Sequence, residues 1–246
     1  MIVIYYFRTF IAAFLALLFL TVFSLIALPV LWLVGKISPL AKEKAARVMG
    51  CGGIRMVRFI VGVKADNIGL ENIPDEPSLF VANHRSFFDI ITVYPDMKKI
   101  RLGYIGKKQF KKFLPFKIWM EYMGCIFLDR DNPREGLKVV NQAAEDIKNG
   151  KYIWIYPEGT RGHEDGNLPF HAGSFRIAEK AGCAIVPVAQ LRGDEAFENH
   201  LPYVKPTKMI NVFGKPIPTE GLDKAELREL YKTAEAEVAR LYEQYK

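Results

Sequence analysis

Cysteine is scarce and oddly counted. Cys51, Cys125 and Cys183 are three in number and far apart, so they build no disulfide framework, and no Cys-x-x-Cys pair points to zinc. Such sparing use fits a reducing compartment. With 19 glycines and 14 prolines among 246 residues, collagen-like and low-complexity classes are excluded, and no internal repeat is visible. Disorder is excluded by the opposite count, since half the chain is hydrophobic and a quarter charged. His84, His163, His171 and His200 show no ligand spacing, so no metal is expected. Most telling is an absence of charge: no ionisable residue lies between Thr9 and Gly35.

A transmembrane helix needs about 20 mainly apolar residues. Thr9–Leu28 supplies them, apolar all round as a lipid-facing helix should be. The run continues through Pro29 into Leu31-Trp32-Leu33-Val34-Gly35 with no Ala-x-Ala site, which argues against a cleaved signal. Arg8 is the sole charge before it, whereas Lys36, Lys42, Lys44, Arg47, Arg55 and Arg58 follow. Positive residues stay on the cytoplasmic side, so the bulk of the chain is expected there. Ser38–Val63 reads as a second helix whose basic residues and apolar end suit a headgroup interface. Gly50, Gly52 and Gly53 weaken its middle. Pro29 and Pro39 offer turns between the two helices, so the pair either spans the bilayer or dips into one leaflet; both readings stand. The net charge of +7 favours an anionic partner. Its position beside the apolar run, with no nucleic-acid motif, favours a phospholipid bilayer over nucleic acid.

From Asn67 onward the composition is that of a soluble domain, which divides the chain into an anchoring segment, 1–63, and a chemistry-bearing domain, 64–246. Candidate strands are Leu79–Ala82, Ile100–Ile105, Cys125–Leu128, Tyr152–Tyr156, Ile185–Ala189 and Met209–Phe213. Helical patterns cover Phe87–Tyr94, Lys108–Met123, Arg134–Asn149, Ser174–Ala181 and Lys224–Lys246. This alternation predicts an α/β fold, a mixed sheet with crossover helices.

Sites in such sheets lie beyond the carboxyl ends of strands. Two loops there concentrate ionisable groups. In Asn83-His84-Arg85-Ser86-Phe87-Phe88-Asp89, five residues of continuous helix would set His84 and Asp89 roughly 140° apart. A strand-to-helix bend with Ser86 as N-cap brings them together. Asp89 then accepts from one imidazole nitrogen and leaves the other as a base. The same Ser-x-x-Asp spacing is also a plain capping box, and the two readings are compatible. In the second loop, Pro157-Glu158-Gly159-Thr160-Arg161-Gly162, Gly159 lets backbone approach a ligand and Arg161 offers a fork suited to phosphate. A surface turn with a local ion pair is the alternative. Lys107, Lys108, Lys111 and Lys112 read as a solvated helix face, with Lys107 singled out by its place after a strand. Gly124–Arg130 reads as a strand ending in an ion pair.

Together these segments resemble the glycerolipid acyltransferase family, most closely bacterial lysophosphatidic acid acyltransferases. Four blocks appear in order: NHRSFFD, GCIFLDR, YPEGTRG and IVPVAQ. His171 stands where that pattern has proline or lysine. The resemblance implies a glycerol-phosphate acyltransferase-like sheet and transfer of a fatty acyl group to the 2-hydroxyl of lysophosphatidate, giving phosphatidate. It implies no cofactor, the acyl donor being a substrate thioester on coenzyme A or acyl carrier protein. His84 and Asp89 become the catalytic pair, and Lys107, Glu158, Gly159, Thr160 and Arg161 the substrate-binding residues. Glu158 would orient Arg161 or bond the glycerol. A bacterial inner membrane, catalytic domain on the cytoplasmic face, is the implied location. Two alternatives remain: another lysophospholipid or a lipid amine as acceptor, and a non-catalytic membrane-anchored phospholipid-binding module.

Overall fold

The computed structural model describes residues 2–129, 132–162 and 168–246. Its first feature is an apolar rod of 36 residues, Ile2–Ile37, about 54 Å long at 1.5 Å per residue. It consists of α1 (Ile2–Leu18), a π-helical turn over Phe19–Phe23, and α2 (Ser24–Ile37). The π turn has a local cause: the Ser24 hydroxyl donates to the Phe19 carbonyl, five residues back, and accepts from the Trp119 indole N–H. Pro29 does not turn the chain; it lies inside α2. The reversal comes at Ser38, which caps α3 (Pro39–Val61) through the Ala41 N–H, with Pro39 in the first turn where a missing N–H costs nothing. Among the described residues the rod is the one helix apolar and long enough to cross a bilayer. The expected second helix exists, but it is a mixed, basic one.

The basic helix α3 is also tied to the rest of the protein. Arg47 donates to the Met97 carbonyl, Arg55 to that of Pro95, and Arg58 to that of Thr92 and to the Asp96 carboxylate. These guanidiniums bind the end of a short helix described below. Ala46 and Cys51 enter the main core. Gly50 lets α3 approach closely: a Cβ there would lie 2.6 Å from the Met123 sulfur.

After Gly62, in the left-handed region at φ 76°, the sheet begins. Its strands are β1 (Lys64–Ile68), β2 (Leu79–Ala82), β3 (Leu102–Lys107), β4 (Ile126–Leu128), β5 (Tyr152–Ile155), β6 (Ile185–Leu191) and β7 (Lys208–Phe213), ordered β1-β7-β6-β2-β5-β3-β4. Strands β6, β2, β5, β3 and β4 run parallel; β7 pairs antiparallel to β6 and carries β1 beside it. The helices are α4 (Phe88–Val93), α5 (Leu114–Tyr122), α6 (Pro133–Lys148), α7 (Arg176–Ala181), α8 (Gly193–Ala196) and α9 (Lys224–Tyr245).

Alternate residues of the central strands serve two cores. Phe80, Trp154, Tyr104 and Val186 pack with α3 and α5, whereas Leu79, Ile153, Ile185 and Ala189 pack with α6, α7 and α9. The central strands are covered on both faces, hence their unbroken apolar runs. The expected helix Lys108–Met123 is broken into a 3-10 turn, Lys108–Lys112, and α5. The chain is extended at Phe113, and Pro115 fits only because it falls in the first turn of α5, where a missing N–H costs nothing.

Candidate active site

The loops after β2 and β5 are neighbours because those strands pair in the middle of the sheet. The Gly162 N–H donates to the His84 carbonyl at 2.8 Å, which ties one loop to the other. Gly159 sits at φ 80°, a conformation that favours glycine, and so turns the second loop back across the sheet edge.

His84 and Asp89 meet. Nδ1 of His84 lies 2.9 Å from Oδ2 of Asp89. A carboxylate only accepts, so Nδ1 carries the hydrogen and a neutral ring keeps its lone pair on Nε2. The same Oδ2 accepts from the N–H groups of Arg85 and Ser86, both at 2.8 Å, while the Ser86 hydroxyl accepts from the Phe88 N–H. Capping and orientation are thus one arrangement of one carboxylate. Asp89 is fully buried, and His84 keeps 15% of its side chain exposed. The imidazole stacks on Tyr156, ring centres 4.1 Å apart and planes 18° apart. Burial raises the Tyr156 phenol well above its usual range, so its neutral hydroxyl donates to Gln190 at 2.9 Å. Gln190 in turn donates to the Asp89 carbonyl and to Asn211.

Glu158 does not partner Arg161. Its Oε2 accepts from the His84 backbone N–H at 3.1 Å. Burial pushes its carboxyl up to about 8; the His84 N–H pulls it down and the neighbouring Asp89 carboxylate pushes it further up. Near neutral pH it is therefore mostly uncharged. Arg161 instead pairs with Glu198 at 2.9 Å and lies 3.7 Å over the Phe87 ring. Thr160 is exposed. Lys107 ends β3, one strand beyond β5 at the same edge of the sheet. Asp129 pairs with Lys108 at 2.6 Å, and the Arg130 of the expected terminal ion pair lies outside the described residues, as does His163.

A cavity of about 420 Å³ opens beyond β3, β4 and β5. It borders Tyr156 and Gly159 and is walled by Leu128, Val140, Ile155 and Ile177; His84 is not part of its lining. Sequence reasoning passed over Glu198, Gln190 and Gly193. Gln190 stood in the IVPVAQ block, detectable as a polar residue within an apolar strand. Gly193 and Glu198 carry no local signal: a Cβ on Gly193 would strike the Asp89 carboxylate, a contact made 104 positions away along the chain.

A mixed α/β sheet carries a histidine–carboxylate pair beyond its strand ends, an arrangement of the class that moves protons. The comparisons narrow that class. A family model described as Acyltransferase matches residues 64–190, just over half the chain, and the chain belongs to that family. A 1-acyl-sn-glycerol-3-phosphate acyltransferase of Saccharomyces cerevisiae is 30% identical over 181 residues, covering 71% of this chain and 58% of that protein. A chloroplastic 1-acyl-sn-glycerol-3-phosphate acyltransferase of Brassica napus is 36% identical over 56% of this chain and 42% of its own. The chain thus spans between about two fifths and three fifths of the length of these relatives. A crystal structure of the 1-acyl-sn-glycerophosphate acyltransferase PlsC from Thermotoga maritima shares the fold, with a TM-score of 0.78 at 24% identity over 98% of this chain and 95% of that one.

Proposed function

We propose that this chain transfers a fatty acyl group from a thioester, on coenzyme A or acyl carrier protein, to the 2-hydroxyl of lysophosphatidate. The observation that carries the reading is the 2.9 Å contact between His84 Nδ1 and Asp89, which leaves Nε2 as a base. An alcohol attacks a thioester well only if its proton leaves during attack. Nε2 of His84 takes that proton as the hydroxyl oxygen bonds to the thioester carbon. The tetrahedral oxyanion then collapses, the carbon–sulfur bond breaks, and the imidazolium returns the proton to the thiolate. The lipid hydroxyl stands where a hydrolase keeps its serine. Asp89 fixes the ring through Nδ1 and faces the positive charge that forms.

Arg161 supplies donors for the acceptor's phosphate, Lys107 a second cation at the same edge, and Gly159 and Thr160 the backbone that lets the headgroup approach. The neutral Glu158 adds no repulsion towards that phosphate. That both relatives are 1-acyl-sn-glycerol-3-phosphate acyltransferases supports lysophosphatidate as acceptor. The apolar wall of the neighbouring cavity suits a hydrocarbon chain. The segment 1–63 seats the domain 64–246 on a bilayer. Charge placement argues the cytoplasmic face, in a bacterium that of the inner membrane.

The test is steady-state kinetics of the full chain in detergent, offering lysophosphatidate or a neutral monoacylglycerol with either thioester. His84→Ala is expected to lose turnover by ~100-fold or more. Arg161→Ala is expected to raise KM for lysophosphatidate by about one to two decades, the worth of a charged hydrogen bond, and to spare the neutral acceptor. Full activity without His84 rejects the mechanism. Equal use of both acceptors by the wild type rejects the phosphate reading.

A further inference from the structure

Glu198 lies outside the family-matched segment, on a 3-10 turn (Glu198–His200) between α8 and β7. Its carboxylate gathers donors from both loops of the candidate site. Oε2 accepts from the Ser86 hydroxyl at 2.6 Å; Oε1 accepts from the Phe87 N–H at 3.0 Å and from Nη1 of Arg161 at 2.9 Å. Ser86 and Phe87 directly follow His84 and Arg85, and Arg161 closes the second loop. One side chain therefore sets the distance between the base and the guanidinium.

Arg161 needs such a partner. A long side chain, still 28% exposed, would otherwise sample many rotamers, and ordering them on binding is costly. The guanidinium is a rigid fork of five donors. Held at Nη1 by Glu198 and with its central carbon 3.7 Å from the centre of the Phe87 ring, it is confined before any ligand arrives. The turn is itself anchored. Tyr203 lies against Tyr5 and Tyr6, the Val204 N–H donates to the Thr9 hydroxyl, and Phe197 packs on Phe88.

We propose that Glu198 is a positioning residue for the acceptor's phosphate, acting through Arg161, which it ties to the Ser86 hydroxyl and the Phe87 N–H, without touching substrate. The proposal rests on the reading of Arg161 as the phosphate's donor. A competing role has the opposite sign: were Glu198 an occupant that phosphate must displace, removing it would tighten binding.

The experiment is the same kinetic assay on full-length Glu198→Ala, Glu198→Gln, Arg161→Ala and the Ala–Ala double variant. Glu198→Ala is expected to raise KM for lysophosphatidate about tenfold and leave KM for the thioester unchanged. Glu198→Gln should recover most of this, because its amide oxygen still accepts from Arg161 and Phe87. The double variant should match Arg161→Ala alone, since the two residues act as one unit. An unchanged or lowered acceptor KM in Glu198→Ala overturns the proposal. So does an equal rise for both substrates, or a rise that adds in full to that of Arg161→Ala. If Arg161→Ala alone leaves the acceptor KM untouched, the phosphate reading itself fails and takes the proposal with it.

Discussion

At the scale of single residues, Glu158 has the least comfortable environment in the site. It is 4% exposed, beside the Asp89 carboxylate, and its carboxyl titrates at about 8 against an ordinary 4.5. The folded state therefore holds a proton that the unfolded state releases between those values. Stability must fall as pH rises from about 4.5 through about 8, because deprotonation of the unfolded chain draws the equilibrium towards it. Glu158→Gln abolishes this term. The variant should gain on the wild type across that window, by ~2–4 kcal/mol at pH 9 relative to pH 5. Melting temperatures in detergent at a series of pH values test this; parallel curves for the two proteins would refute it. The residue was legible as a site candidate from its loop, but its neutral state was not. That state comes from burial in the folded sheet and from the Asp89 carboxylate, 69 positions away along the chain. His84 and Asp89 were legible because their partnership is local: one bend joins residues five apart.

Among the elements, those made of apolar runs were legible and those made of context were not. Strands β2 and β5 stand almost where their hydrophobic residues predict, since central parallel strands have two covered faces. Strand β1, Lys-Ala-Asp-Asn-Ile, gave no such signal; it is a half-exposed edge strand defined by its pairing with β7. The short helix α8 was equally silent, yet it backs the His84–Asp89 pair. On Gly193, its first residue, a Cβ would lie 2.5 Å from Asp89 Oδ1 and 2.7 Å from the Ser86 Cβ. Gly193→Ala should therefore push the carboxylate off its three donors and turn His84 loose. Turnover is expected to drop by ~10-fold or more, as for a base that has lost its orienting partner, with a smaller change in acceptor KM. Wild-type turnover in this variant would mean that Asp89 tolerates displacement and does not set the imidazole.

For the whole molecule, the N-terminal helices and the sheet cannot be separated by truncation. Removing residues 1–63 would strip Ala46 and Cys51 from the main core and the arginines of α3 from the end of α4, so loss of activity would report unfolding. The rod can be tested without touching its packed side. Leu31 and Ala27 are buried against the protein, whereas Phe10, Phe14, Leu25, Ile26 and Leu33 are 56–76% exposed. A continuous apolar face of that extent marks a membrane or partner surface. Replacing Phe14, Leu25, Ile26 and Leu33 by glutamine should leave the melting curve in place and weaken association with phospholipid vesicles. Turnover of vesicle-embedded lysophosphatidate should fall with it, because acceptor hydroxyl and acyl chain both reside at the bilayer. A short-chain acceptor dissolved in water should react as in the wild type, the His84–Asp89 pair being untouched. The sensitive measure is the ratio of the two activities in one preparation. A ratio that stays constant while vesicle binding is lost would mean that the rod anchors the chain without delivering the site to its lipid.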